Sequence, residues 1–214
     1  MLLSKKVCIF ALRMNNDLNI EVKWSENVVL ADADYVDSVA FNLIVNFERI
    51  IGRRIPQADM AKWLDCVALD GGIREGDNEI QVILIHRNDK RQMDNFIPAD
   101  YEQDLSGKAF KDHLGEFTIN AYQPEEMAGV GDFFNEVLEL TLTQKNIKRL
   151  MVIPNAEDAA IYNNVRDTLR RADDEDKRIT VFTMQPTAGG NYRQEILGYS
   201  LMAALGIRSE EIKD

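Results

Sequence analysis

Histidine and cysteine are nearly missing from this chain, with two of each in 214 residues. Cys8 and Cys66 stand singly inside apolar stretches, which leaves no disulfide framework and no closely spaced zinc motif; buried, reduced thiols are expected. His86 and His113 are far apart, with no serine or cysteine nucleophile beside either, and both read as structural. The glycines lack a G-x-G-x-x-G spacing, so Gly189-Gly190-Asn191 is only weak support for an anion site. Bases are outnumbered, 25 Lys and Arg against 36 Asp and Glu. The resulting net charge of −11 argues against a protein whose main task is coating nucleic acid, because phosphate binding draws on clustered cations. A carboxylate-rich protein that meets phosphate through bound divalent cations stays compatible, since the ion then supplies the positive field. No apolar run is long enough to span a bilayer, and Met1-Leu2-Leu3 gives way at once to Ser4-Lys5-Lys6 without a secretory core segment. A cytoplasmic protein with no membrane partner is expected.

What is present is an alternation of apolar runs and amphipathic stretches. Val28 to Ala31 is a short, wholly apolar run ending on Asp32 and Asp34, the signature of a strand covered on both faces. Val36, Val39, Ala40, Leu43, Phe47, Ile50 and Ile51 then recur at intervals of three and four, predicting a helix to about Gly52. Pro56 fits the first position of a second helix over Ala58 to Leu69, stopped by Gly71-Gly72. Strands are predicted over Glu79 to His86, Phe117 to Tyr122, Arg149 to Pro154 and Ile179 to Met184. Helices are predicted near Lys108 to His113, from Asp132 at or next to an N-cap, over Glu157 to Arg171, and over Tyr192 to Leu205. Asp173-Asp174-Glu175-Asp176 reads as a solvated turn. Ahead of the first strand, Leu18, Ile20, Val22 and Trp24 alternate with polar residues after the turn-forming Asn15-Asn16-Asp17, predicting an N-terminal β-hairpin over residues 1–26. That hairpin has two uses open to it, extending the sheet edge or exchanging with a second subunit. Residues 27–214 form one α/β domain with a mainly parallel sheet, and the whole chain is expected to be a single globular domain.

Three acidic positions fall at equivalent places in this pattern: Asp32 or Asp34 after the first strand, Asp132 opening the middle helix, and Glu157 or Asp158 after the fourth strand. If the first and fourth strands flank the point where strand order reverses, these groups converge beyond the carboxyl ends of the sheet. Oxygen donors suit hard cations such as magnesium, which keep several waters and are often held by few carboxylates together with substrate phosphate. Each acid also has a plainer reading as a helix cap or a first-turn residue.

The combination Asp32-Ala33-Asp34, Gly129-Val130-Gly131-Asp132 ahead of a helix, and Val152-Ile153-Pro154-Asn155-Ala156-Glu157-Asp158 before a helix and Arg178-Ile179-Thr180-Val181-Phe182 resembles the NYN branch of the PIN-like metal-dependent ribonucleases. Tyr35 stands where that family usually has Asn, and Ala156 where it commonly has an acid. The resemblance implies a three-layer α/β/α fold with about five strands in the order 3-2-1-4-5. It also implies Asp32, Asp132 and Asp158 as catalytic and metal-binding residues, with Asp34 and Glu157 as additional ligands for Mg2+ or Mn2+, and RNA as substrate. The small basic groups Arg53-Arg54, Arg87 with Lys90-Arg91, and Arg166 with Arg170-Arg171 would flank it. Two other classes stay open: a non-catalytic, homodimeric interaction module on the same fold, and a small-molecule enzyme of flavodoxin-like or isochorismatase-like kind.

Overall fold

The computed structural model describes residues 23–125, 128–172, 177–187 and 189–212. The expected N-terminal hairpin, apart from its last few residues, and the acidic turn at 173–176 lie outside them. Strand β1 (Asn27–Asp32) is the centre of a seven-stranded mixed sheet. It pairs in parallel with β3 (Asn78–Ile85) on one side and β7 (Arg149–Ile153) on the other. Beyond β3 lie β6 (Gly115–Tyr122), parallel, and β5 (Lys108–Lys111), antiparallel at the edge. Beyond β7 lie β8 (Arg178–Thr183) and β9 (Arg193–Ile196), both parallel. The full order is β5-β6-β3-β1-β7-β8-β9, and a separate two-stranded ladder joins β2 (Ala58–Asp59) to β4 (Phe96–Ile97).

Side-chain alternation along β1 explains why its sequence carries no polar residue between Asn27 and Asp32. Val29 and Ala31 enter one core while Val28 and Leu30 enter the other. Ile80, Val82 and Leu84 of β3 extend the first core, and Leu150 and Val152 of β7 extend the second. Helices α1 (Ala33–Ile51), α2 (Met60–Asp70) and α5 (Leu197–Ala204) cover the first face through Val36, Trp63 and Leu197. Helices α3 (Val130–Thr143) and α4 (Ala159–Arg171) cover the second through Phe134 and Val165. None of the described helices is long and apolar enough to cross a membrane. Trp24, the last residue of the alternating segment, is buried in the second core, and its carbonyl accepts from Asn146 Nδ2 at 2.6 Å.

Several expected elements differ. Lys108–Lys111 is strand β5 rather than a helix, because pairing with β6 stacks Phe110 on Phe117 with ring centroids 4.6 Å apart. The last helix is shorter than its sequence pattern: Arg193–Ile196 is taken by the open edge of β8, and helix begins only at Leu197. Helix α2 starts at Met60 with Asp59 as cap, its carboxylate accepting from Lys62 N at 3.0 Å, so Pro56 is not its first residue. Gly129 occupies the N-cap of α3, which moves Asp132 into the first turn. Among the described residues the sheet has seven strands, not about five, because both ends of the order recruit segments whose sequences read as helical.

Candidate functional site

The chain runs from β1 outward through β3 to β6, then returns to the other side of β1 with β7. The order therefore reverses at β1, and a crevice opens beyond the carboxyl ends of the strands there. The register places Asp32 level with Ile85 of β3 and one residue beyond the Ala31–Ile153 pair with β7. The segment following β7 consequently faces the one following β1. Between them lies an open cleft of about 440 Å³ lined by Asp32, Asp34, Tyr35 and Ser38 on one wall and Asn155, Glu157 and Asp158 on the other. Arg87, Val130 and Ile161 complete its lining.

Two of these acids cap helices. Asp32 Oδ1 accepts from the Tyr35 amide at 3.0 Å and starts α1. Asp158 Oδ1 accepts from Ala160 N at 2.9 Å and Ile161 N at 3.1 Å and starts α4. In each case the cap occupies one carboxylate oxygen of a residue that also lines the cleft. Asn155 organises the opposite wall, its Oδ1 accepting from the amides of Glu157 and Asp158, both at 3.2 Å. This is an Asx turn, the local bond that short amide side chains make to the backbone two and three residues on. Burial pushes the Asp32 carboxyl up to about 6, against the lowering effect of the Tyr35 amide bond.

The segment after β3 supplies positive charge. Asp34 accepts from the Arg87 amide at 2.7 Å, and Arg87 Nε and Lys90 Nζ each lie 3.9 Å from its carboxylate. Asp37, one turn further along α1 and buried, anchors the same segment: it accepts from Lys90 Nζ at 3.1 Å and from the amides of Asp94 and Asn95 at 3.1 and 2.8 Å. His86 stacks on Tyr101 with ring centroids 3.8 Å apart, and its Nδ1–H donates to the Arg87 carbonyl at 2.9 Å. Burial lowers the pKa of this imidazole, which suits a packing role.

Tyr35 is the unusual member of the cleft. Its side chain is buried, yet its hydroxyl has no hydrogen-bond partner. Burial raises the phenol, and the nearby charges of Glu157 and Asp32 raise it further, so the group is a persistent proton donor.

The cleft thus brings together Asp32, Asp34, Glu157 and Asp158. Asp132 is not among its lining residues: it is exposed in the first turn of α3, and one carboxylate oxygen lies back over Gly129, 3.5 Å from where a Cβ on that glycine would be. Among the described residues, the trio of potential ligand side chains with one atom each within 4.8 Å of the others lies elsewhere, at Asp65, Asp112 and His113. Arg87 belonged to a basic group visible in the sequence and Asn155 stood inside the motif after the fourth strand without a role assigned to it, whereas Ser38 and the bonds around Asp37 carried no signal there. Arg53, another of those bases, is held by Glu211 at 2.7 and 2.8 Å.

Fold and site together define an α/β protein with a mixed seven-stranded sheet and an acidic cleft at its switch point. The chain belongs to DUF6621, a family of unknown function, which it matches over residues 21–212. No curated protein and no solved structure matches it.

Proposed function

We propose that the cleft is the active site of a PIN-like ribonuclease dependent on Mg2+ or Mn2+. The observation that carries this reading is the convergence of Asp32, Asp34, Glu157 and Asp158, from the ends of two neighbouring parallel strands, on one open cleft. The donors are all oxygens, the set that hard divalent cations take. Asp32, Glu157 and Asp158 would hold the ion, partly through its own waters, because no three carboxylates of the described cleft approach within 4.8 Å; magnesium commonly keeps several waters in this way. When bound, the ion lowers the pKa of a coordinated water and neutralises charge on a phosphodiester.

The chain's own residues do the rest. Arg87, at the rim, offers a guanidinium to the phosphate; its backbone amide is anchored to Asp34, and its Nε lies 3.3 Å from Asp89 and 3.9 Å from Asp34. The Tyr35 hydroxyl, without a partner inside the protein, donates to a ligand oxygen or an ordered water. Asp32 is a costly buried charge on its own, and a cation beside it offsets that cost.

The purified protein is expected to cleave single-stranded RNA when supplied with Mn2+, and Asp32→Asn is expected to abolish cleavage. Cleavage undiminished by that substitution, or none by the parent protein with either metal, overturns the proposal. One observation favours a second reading, a homodimeric interaction module: Phe41 and Val45 lie a helical turn apart on α1, 53% and 40% exposed. Light scattering that gives a dimer, from a protein that does not cleave RNA, would select it.

A further inference from the structure

At the opposite rim of the sheet, where β6 begins, the turn between β5 and β6 carries Asp112 and His113 against Asp65 of α2. One ligand atom from each of the three lies within 4.8 Å of the other two. Two further observations separate this trio from an ordinary surface cluster. Asp65 is half-buried, and its Oδ1, shielded from solvent, meets no amide or cationic donor and lies against the Asp112 carboxylate instead. Two carboxylates so placed need either a shared proton or a cation between them, and His113 beside them adds the nitrogen donor that a proton does not require.

The turn is also held rigidly. Asp112 Oδ1 accepts from Leu114 N at 2.7 Å and Gly115 N at 3.3 Å, and Asp112 N donates to Gly115 O at 3.0 Å. Gly76 N donates to the His113 carbonyl at 3.1 Å, and Asn78 Nδ2 to that of Leu114 at 2.6 Å. Five bonds thus fix the backbone that presents the two ligands, leaving the exposed His113 ring free to close on an ion.

We infer that Asp65, Asp112 and His113 form a metal site for a borderline first-row cation, zinc above all, that ties α2 to the β5–β6 turn. One imidazole with two carboxylates is a mixed nitrogen and oxygen set, which suits zinc better than the all-oxygen sets preferred by magnesium or calcium. Ligand distances of about 2.0–2.2 Å in a tetrahedron place the donors about 3.4 Å apart, inside the 4.8 Å within which the three ligand atoms lie. Three protein ligands leave one position for water. The site is separate from the cleft, which lies at the carboxyl ends of the parallel strands, whereas this one sits at the amino end of β6.

Because His86 and His113 are the two histidines of the chain, imidazole resonances identify the ligand without ambiguity. Full-length protein stripped with chelator and titrated with zinc chloride is expected to shift the His113 ring nitrogens at one equivalent and leave those of His86 in place. His113→Ala, at an exposed position, and Asp65→Asn are each expected to weaken zinc binding at least ~tenfold, by calorimetry on variants whose circular dichroism matches the parent. Zinc that saturates the protein without moving the His113 signals, or parental zinc affinity in His113→Ala, overturns the inference.

Discussion

Asp32 concentrates two demands on one carboxylate. One oxygen caps α1 through the Tyr35 amide, while the whole side chain is only 3% exposed. Burial outweighs the cap, and the carboxyl is pushed up to about 6. The folded protein therefore holds this proton more tightly than the unfolded chain, where an aspartate titrates near ~3.9. The associated stability is fully present below the unfolded value and is lost as pH rises through about 6, since the native state then has to carry a desolvated charge. At neutral pH the deficit is about 2–3 kcal/mol. Asparagine keeps a capping oxygen without the charge. In urea denaturation without divalent ions, Asp32→Asn is expected to be about 1–3 kcal/mol more stable than the parent at pH 8 and indistinguishable from it near pH 4. A constant difference across that range would show that the carboxylate is not desolvated. Stability given up at this one position is what a binding residue shows when its partner is absent.

Among the elements, β6 has the least tolerance at its first residue. Gly115 has φ +142°, and a Cβ built there meets the Asn78 carbonyl oxygen at 2.1 Å. The close approach belongs to the pairing of β6 with β3, in which Asn78 faces Gly115. Gly107, before β5, also has positive φ, +71°, with nothing within 4 Å of a Cβ. Gly115→Ala is expected to cost about 3 kcal/mol or more, and Gly107→Ala about 1 kcal/mol from backbone conformation alone. Thermal melts of the two variants read the difference directly, and equal losses would refute the steric argument. Displacing Gly115 also disturbs the Asp112–His113 turn, which depends on the Gly115 amide and carbonyl.

On the scale of the whole molecule, the sheet holds two acid-bearing rims apart. The cleft gathers side chains where strands β1 and β7 end, and the Asp65–Asp112–His113 trio gathers them where β6 starts. Rigid strands and two filled cores separate them, so the two proposed ions are expected to act independently. His113→Ala should cleave RNA at the parental rate, and Asp32→Asn should bind zinc with parental affinity. Loss of both properties in either variant would point to a single shared site.

What the sequence determined on its own were the elements whose signal is local and repeated. Val28 to Ala31 had to be a two-sided strand, because four consecutive apolar side chains in extended conformation point alternately into two cores. The stripe from Val36 to Ile51 had to be a helix, and Asp32 and Asp158 stand at helix starts because a short carboxylate there satisfies amides that have no other partner. Only the tertiary structure decided the edges. β5 and β9 are strands because an adjacent strand offers unpaired backbone groups, and pairing of that kind overrides weak local preference. It also decided which acids meet. Asp32, Asp34, Glu157 and Asp158 share a cleft while Asp132 turns back over Gly129, a matter of one helix starting at Gly129 rather than beside Asp132. The trio of Asp65, Asp112 and His113 joins a helix to a distant turn, and no spacing along the chain encodes a contact that exists only once the sheet has brought them together.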